Sequence, residues 1–260
     1  MPIRFGRLLL MVSLTMASLP RSAAATWSII VLDRKSQTVG VAGASCTSDV
    51  YGIASLVPGA GALVAQAIGY PPAVREAIRL LRGGVPVDSV LRAITSPALD
   101  SAVENRQYAM VTFTGGQIQY SGAALHAYQG VRTAEGVLVQ GNLLTGSNVL
   151  DRTLEAVQRA QTAGLPMAEV LMAGLQAGAE AGGDSRCGAQ RATAAFLTIA
   201  KPGDVPSWPY LTLRVVGVAQ GSTVNAVTVL GERLRLWKAN GGEKLRITSE
   251  TVKPDSANFR

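Results

Sequence analysis

The chain has 260 residues, of which 48% are hydrophobic and 16% are charged. This composition is typical of one globular domain of fair size and excludes an intrinsically disordered chain. The net charge is +7, but three of the 24 basic residues lie in the first 25 residues and no acid does, which leaves 21 basic against 17 acidic residues. So small and scattered an excess gives no indication of nucleic-acid binding.

The first 25 residues have the three parts of a secretory signal peptide. Arg4 and Arg7 precede an apolar run at residues 8–19, and small residues occupy positions 23–25. Cleavage after Ala25 would make Thr26 the first residue of the mature chain, whereas cleavage one residue earlier would leave Ala25 in front of it. No apolar run reaches the roughly 18 to 20 residues that span a bilayer. We expect a secreted or periplasmic protein with no stable membrane anchor after cleavage, and an uncleaved N-terminal anchor is the alternative.

A threonine at a free N-terminus carries two groups that acyl transfer needs. The hydroxyl is a nucleophile, and the α-amine of the same residue, with an ordinary pKa of about 7.7 to 8.0, can accept the hydroxyl proton. The other interpretation is that Thr26 only begins the first strand. This stretch alone leaves both interpretations open.

The first half of the remaining chain shows strand patterns interrupted by a helix pair. Alternation predicts a hairpin at residues 26–32 and 38–44, and strands at 53–57 and 62–67. A helix opens at Pro71 and ends at Gly83, with Val74, Ile78 and Leu81 at helical spacing, and a short helix follows at residues 86–94. A second hairpin at 107–113 and 117–122 and a strand at 136–143 complete this half.

The second half begins with another helix pair. Ser147 and Asn148 can cap a helix that runs to about residue 163, and its partner helix covers residues 167–181. Strands are predicted at 192–200 and 210–217, and residues 224–237 have helical spacing. Strand groups that alternate with helix pairs predict an α+β protein in which sheets lie between helix layers. We expect one domain over residues 26–240 and a polar tail at 241–260.

Four motifs, in this order, resemble the domain of unknown function 1028 family. They are residues 26–31 (TWSIIV), 40–45 (GVAGAS), 139–146 (VQGNLLTG) and 181–186 (AGGDSR). Members of that family are assigned to the Ntn-hydrolase-like superfamily, whose enzymes use an N-terminal Thr, Ser or Cys. The resemblance implies a four-layer αββα sandwich, with two antiparallel sheets between helix pairs.

The resemblance also implies an activity. The chain would cleave an amide or peptide bond of a small-molecule or peptide substrate through an acyl-enzyme on Thr26, without a cofactor. Gly141 and Asn142 would supply a backbone N–H and a side-chain amide to the developing oxyanion. The alternative for Asn142 is a turn residue that ends a strand.

Three further polar residues are candidates for this site. Ser45 could donate a hydrogen bond to the Thr26 amine. Asp184 and Arg186 could bind the new α-ammonium or an acidic substrate, or pair with each other in a structural role.

One departure from the superfamily pattern favours other functions. Threonine hydrolases of the proteasome type place an acid at the end of the second strand and a lysine further on, and residues 43–46 carry neither. This favours a catalytically silent Ntn-like domain used for binding or assembly. A third interpretation is a protein that cuts only its own Ala25–Thr26 bond. Antiparallel sheets often pair subunits at their edges, so the fold allows a homo-oligomer.

Cys46 and Cys187 each lie beside one of the site segments. In an exported protein an even number of cysteines favours a disulfide, and two buried thiols are the alternative. Two cysteines and the single His126 are too few ligands for zinc, so we expect no metal.

Overall fold

A computed structural model describes residues 26–126 and 128–242. The predicted signal peptide and all of the predicted tail except residues 241 and 242 lie outside the described residues. Within the described ranges, the chain is an α+β protein with two antiparallel sheets and five α-helices. None of the described helices is long and apolar enough to cross a bilayer.

Ten strands form the two sheets, and five helices pack on them. The strands are β1 (Thr26–Asp33), β2 (Thr38–Ser45), β3 (Ala54–Val57), β4 (Gly61–Ala67), β5 (Arg106–Thr112), β6 (Gln117–Ser121), β7 (Gly130–Ala134), β8 (Val137–Asn142), β9 (Ala194–Ala200) and β10 (Leu211–Val215). The helices are α1 (Pro71–Arg82), α2 (Val87–Ile94), α3 (Asn148–Thr162), α4 (Met167–Glu180) and α5 (Ala226–Ala239). The six-stranded sheet has the order β10-β9-β2-β1-β8-β7, and the four-stranded sheet has the order β3-β4-β5-β6.

Three groups of buried apolar side chains hold these elements together. The first lies between the six-stranded sheet and helices α3, α4 and α5, and it includes Trp27. The second lies between the two sheets and includes Ile30 and Phe196. The third lies between the four-stranded sheet and helices α1 and α2, and it includes Ile94. Because side chains alternate between the faces of a strand, β1 contributes to both of the first two groups, and residues 29–32 are all apolar.

The sequence predictions reproduce most of these elements within a few residues, but they omit β7. This strand lies at the edge of its sheet, and its five residues are half-buried or exposed. Its sequence, GVRTA, has one large apolar residue and shows no alternation of apolar and polar residues, which is why the pattern fails there.

The buried face of α1 differs from the predicted one. Leu81 is buried as expected, but Val74 and Ile78 are only half-buried, and Ala73 and Ala77 are fully buried. Alanine has a small side chain, so α1 can pack close to the sheet through these two positions. A pattern that counts only large apolar residues therefore selects Val74 and Ile78, each of which lies one residue after the alanine that is buried.

The predicted cap of α3 is wrong. Ser147 precedes the helix, but its backbone angles are already helical, with φ −60° and ψ −34°, and its side chain makes no capping hydrogen bond. A serine caps a helix from extended backbone, where its hydroxyl can reach the free N–H groups of the first turn.

Candidate functional site

Three of the predicted site residues meet at one edge of the six-stranded sheet. Thr26 is the first residue of β1, and its partners on the two neighbouring strands are Ser45, the last residue of β2, and Asn142, the last residue of β8. All three are buried in the full chain, in which Ala25 is bonded to the nitrogen of Thr26. The Oγ1 of Thr26 donates to the Oγ of Ser45 over 3.4 Å, which is long for a hydrogen bond between hydroxyls. The antiparallel register therefore brings the three side chains together.

Two glutamines of the four-stranded sheet connect to this edge. The Nδ2 of Asn142 donates to the Oε1 of Gln107 over 3.0 Å. The Nε2 of Gln66 donates to the same oxygen over 2.7 Å and to the backbone carbonyl of Thr26 over 3.2 Å. Ser28, two residues along β1, donates from its Oγ to the Oε1 of Gln66 over 2.6 Å. Since buried amides need such partners, this network fixes the orientation of the Asn142 side chain.

Sequence reasoning missed both glutamines. They lie in strands β4 and β5, far from every motif in the chain, and each is at most 2% exposed. Their polar side chains at buried strand positions were the only available signal, because strands buried on both faces normally carry apolar residues there.

Gly141 lets β8 approach Thr26 closely. A Cβ atom at position 141 would lie 2.5 Å from the Cδ1 of Leu144 and 3.0 Å from the carbonyl oxygen of Thr26. The next residue after Asn142, Leu143, has a φ of +52°, a backbone conformation that costs a non-glycine residue on the order of 1 kcal/mol or more. Such strained residues are often found at functional sites. Here the conformation of Leu143 makes the chain turn directly after the end of β8.

The structure shows Asp184 and Arg186 paired with each other. Asp184 is fully buried, and its Oδ2 lies 2.8 Å from the Nη2 of Arg186. The same oxygen accepts a hydrogen bond of 2.6 Å from the backbone N–H of Cys46. The Nη2 of Arg186 also lies 3.5 Å from the Oγ of Ser45. Of the alternatives given for Asp184 and Arg186, the structure thus shows the ion pair between the two side chains.

Cys46 and Cys187 form a disulfide. Cys46 directly follows Ser45, and Cys187 directly follows Arg186 in the short 3₁₀ segment Ser185–Gln190. The bridge therefore joins the end of β2 to the loop that carries the ion pair. In the described ranges no cluster of three or more His, Cys, Asp and Glu side chains could hold a metal ion.

A buried ion pair stabilises the neighbouring end of the four-stranded sheet. The Nε of Arg106 lies 2.7 Å from the Oδ2 of Asp100, and both side chains are almost fully buried. The hydrogen bond from Arg106 holds the pKa of the Asp100 carboxyl below its usual range. Arg106 also donates to the backbone carbonyl of Ile68, and it directly precedes Gln107. This pair therefore supports the strand that carries one of the network glutamines.

The family model of the family of unknown function DUF1028 matches residues 26–223. The chain belongs to the DUF1028 family. The match begins at Thr26 and includes Ser45, Asn142, Asp184 and Arg186, and it ends before α5.

A crystal structure of a DUF1028 protein from Silicibacter pomeroyi is similar to this chain, with a TM-score of 0.67. It is 22% identical, and the alignment covers 88% of this chain and 98% of that one. At this identity the likeness shows a shared fold and no more. No curated protein matches the sequence.

Proposed function

We propose that this DUF1028 protein is an N-terminal nucleophile hydrolase that cleaves an amide or peptide bond through an acyl-enzyme on Thr26. The observation that carries the proposal is the position of Thr26. It is the first residue of a central strand, and it lies between a hydroxyl on one neighbouring strand and a carboxamide on the other. Removal of residues 1–25 would convert its amide nitrogen into an α-amine beside its own hydroxyl.

The reaction would need no group outside the chain except water. The α-amine takes the hydroxyl proton while Oγ1 of Thr26 attacks the substrate carbonyl carbon. The tetrahedral intermediate then collapses, the C–N bond breaks, and the ammonium returns the proton to the leaving nitrogen. Water attacks the resulting ester with the amine as base again, which releases the acid and restores the hydroxyl.

Asn142 would stabilise the oxyanion of the tetrahedral intermediate. A carboxamide has two N–H groups, and one of those on Asn142 donates to Gln107. The proposal assigns the second N–H to the oxyanion, together with a backbone N–H of the Gly141–Asn142 step. A fixed donor of this kind commonly contributes about 3 to 4 kcal/mol to lowering the barrier.

The stacking of the described elements supports the fold that this proposal implies. Helices α3 to α5, the six-stranded sheet, the four-stranded sheet, and helices α1 and α2 follow one another through the three apolar groups. This order supports the αββα sandwich that an Ntn-hydrolase-like protein would have. The disulfide supports a secreted or periplasmic location, where such bonds persist.

A catalytically silent binding or assembly domain is the second candidate. Thr26 is 0% exposed in the full chain, and Asn142 is 1% exposed. No acid or lysine stands at residues 43–46. The hydrolase proposal therefore requires that the hydroxyl of Thr26 becomes accessible once the chain begins there.

The two candidates differ in the reactivity of Thr26. The protein secreted from its full-length gene would be treated with a β-lactone probe that acylates hydroxyl nucleophiles, and the labelled residue identified by peptide mass spectrometry. We expect one acyl group on Thr26, retained in Thr26→Ser and absent from Thr26→Ala. Thr38, which begins the adjacent strand β2, provides the control, and Thr38→Ala should label as the wild type does. Full labelling of Thr26→Ala, or no labelling of processed wild-type protein, would contradict the proposal.

A further inference from the structure

Two successive contacts connect the guanidinium of Arg186 to the hydroxyl of Thr26. The Nη2 of Arg186 lies 3.5 Å from the Oγ of Ser45, and the Oγ1 of Thr26 lies 3.4 Å from the same oxygen. Both distances are long, as is common for catalytic contacts before substrate binds. Ser45 is thus the link between the cation and the threonine.

Arg186 is held in place by its ion pair with Asp184 and by the neighbouring disulfide. Its Nε and Nη2 donate to the two carboxylate oxygens of the fully buried Asp184, over 3.1 and 2.8 Å. Asp184 is itself fixed by the backbone N–H of Cys46. The disulfide joins the residue after Ser45 to the residue after Arg186, so the covalent structure also keeps the two side chains together.

We propose that Arg186 is a positioning residue that acts through Ser45 on Thr26, and that it supplies the positive charge absent from residues 43–46. The inference rests on the proposed function of Thr26. A hydroxyl has two acceptor sites and one hydrogen. If Thr26 and Arg186 both donate to the Oγ of Ser45, the hydrogen of Ser45 is directed to a third partner. In the processed chain that partner is the lone pair of the Thr26 amine, so that the amine takes the hydroxyl proton through Ser45: Ser45 receives the proton of Thr26 and gives its own to the amine.

Both effects of Arg186 favour the neutral amine, which is the form that acts as base. A hydrogen bond donated to the amine lone pair stabilises the neutral form, and a nearby positive charge disfavours the ammonium. Asp184 opposes the second effect in part, because its carboxylate is paired with Arg186 and brings a negative charge to the same region. Loss of the Arg186 charge would leave that carboxylate uncompensated and would raise the pKa of the α-amine.

The other charged side chains at this edge are paired among themselves. On the facing sheet, Arg106 is bonded to Asp100, and its neighbours in the network, Gln66 and Gln107, are neutral. The β2 and β9 positions beside Ser45 are Ala44 and Ala194. The ion pair on the 3₁₀ segment is therefore the charged group with a direct path of contacts to Thr26 within the described residues.

Titration of the α-amine tests this inference without requiring hydrolysis. Protein processed to Thr26 would be pulsed with acetic anhydride across pH 5 to 10, and acetylation of the N-terminal peptide quantified by mass spectrometry. We expect Arg186→Gln to raise the pKa of the amine by about one unit, so that about tenfold less free amine is present below its pKa. Arg186→Lys should restore most of the wild-type value.

Two further variants separate positioning from folding. Arg191→Gln removes the same charge from the residue directly after the 3₁₀ segment, where Arg191 donates to the carbonyl of Gly188, and it should leave the amine titration unchanged. Ser45→Ala should raise the pKa of the amine by less than Arg186→Gln does, because it removes the hydrogen bond to the amine and leaves the charge of Arg186 in place. The double variant should add little to Arg186→Gln, because the Ser45 contact acts through Arg186. If Arg186→Gln does not fold, Ser45→Ala with Arg186→Lys provides the same comparison.

The pH dependence of β-lactone labelling at Thr26 should move with the amine titration. An unchanged amine pKa in Arg186→Gln or Ser45→Ala would overturn the inference, as would an equal shift in Arg191→Gln. A shifted pKa in a protein that does not label at Thr26 would support the inference about Arg186 and contradict the hydrolase proposal. The two failures are therefore distinguishable.

Discussion

Asn142 and Gln107 are joined across the two sheets: the carboxamide nitrogen of Asn142 donates to the Oε1 of Gln107 over 3.0 Å. The Nε2 of Gln107 in turn donates to the carbonyl of Gly141, the residue before Asn142. One glutamine of the four-stranded sheet thus holds both the side chain of Asn142 and the backbone of β8 at Gly141.

Replacement of Gln107 by leucine should destabilise the protein. The change keeps the side-chain volume similar but leaves the Asn142 amide, the Gln66 amide and the Gly141 carbonyl without this partner. Each buried group left unsatisfied costs about 1 to 3 kcal/mol. Urea unfolding should therefore show a loss of about 2 to 4 kcal/mol in the free energy of unfolding for Gln107→Leu.

Gln140 offers a matched control. It lies on β8 and is 1% exposed, and in the described part of the chain neither atom of its amide group has a hydrogen-bond partner. Gln140→Leu breaks no protein hydrogen bond and removes a buried polar group, so its stability should equal or exceed that of the wild type. Equal losses in both variants would show that the network does not contribute in the way described.

The Asp100–Arg106 pair should make stability depend on pH. The pKa of Asp100 is lowered in the folded protein, so the carboxylate stabilises the fold above the ordinary aspartate pKa of about 3.9. This contribution is lost as the pH falls through the depressed pKa. Asp100→Asn should cost about 3 to 5 kcal/mol near pH 7, because it leaves the buried Arg106 without its counter-charge.

Urea unfolding of wild type and Asp100→Asn at pH 7 and at several pH values below 4 checks this prediction. The difference between the two proteins should shrink as the pH falls. Glu76→Gln, which removes an exposed ion pair with Arg79 on α1, should have far less effect at either pH. A constant difference between wild type and Asp100→Asn would contradict the account.

The disulfide should contribute strongly to stability. It closes a loop of 141 residues, and loss of a native disulfide typically costs about 2 to 5 kcal/mol. The double variant Cys46→Ser/Cys187→Ser should unfold at correspondingly lower urea concentration, and wild type with reductant should match it. The account would be contradicted if reductant lowered the stability of the double variant, or if the double variant were as stable as the wild type without reductant.

Gly178 should be required for the packing of α4 on β1. A Cβ atom there would lie 2.6 Å from both the Nε1 of Trp27 and the Oγ1 of Thr153. Gly178→Ala should therefore destabilise the protein by about 1 to 3 kcal/mol. Gly231 on α5 is the control, since its nearest contact would be 3.9 Å away.

Gly231→Ala should raise the free energy of unfolding by about 0.5 to 1 kcal/mol, because alanine favours the helix over glycine. Thermal or urea unfolding of the two variants should give opposite signs. A higher free energy of unfolding in both Gly178→Ala and Gly231→Ala would mean that Trp27 and α4 rearrange without cost.

The sequence predicted the elements whose apolar residues follow one clear period. Residues 224–237 had Leu230, Leu234 and Trp237 at helical spacing, and all three are buried on α5. Edge strand β7 and the alanine face of α1 were missed, because neither presents large apolar residues at regular intervals.

The candidate site was only partly predictable. The resemblance selected Thr26, Ser45 and Asn142, and the strand register then showed that they are neighbours. Gln66 and Gln107 were not found, because the contacts that give them a role join two sheets and depend on tertiary packing alone.

The central claim is that Thr26 becomes the N-terminal residue, and it is tested most directly by intact mass and N-terminal sequencing of the protein secreted from its own full-length gene. The account predicts a single species that starts at Thr26, with its hydroxyl and α-amine together between Ser45 and Asn142. A chain that starts at Ser22 or Ala25, or one that remains uncleaved, would lack the proposed base and would contradict the account.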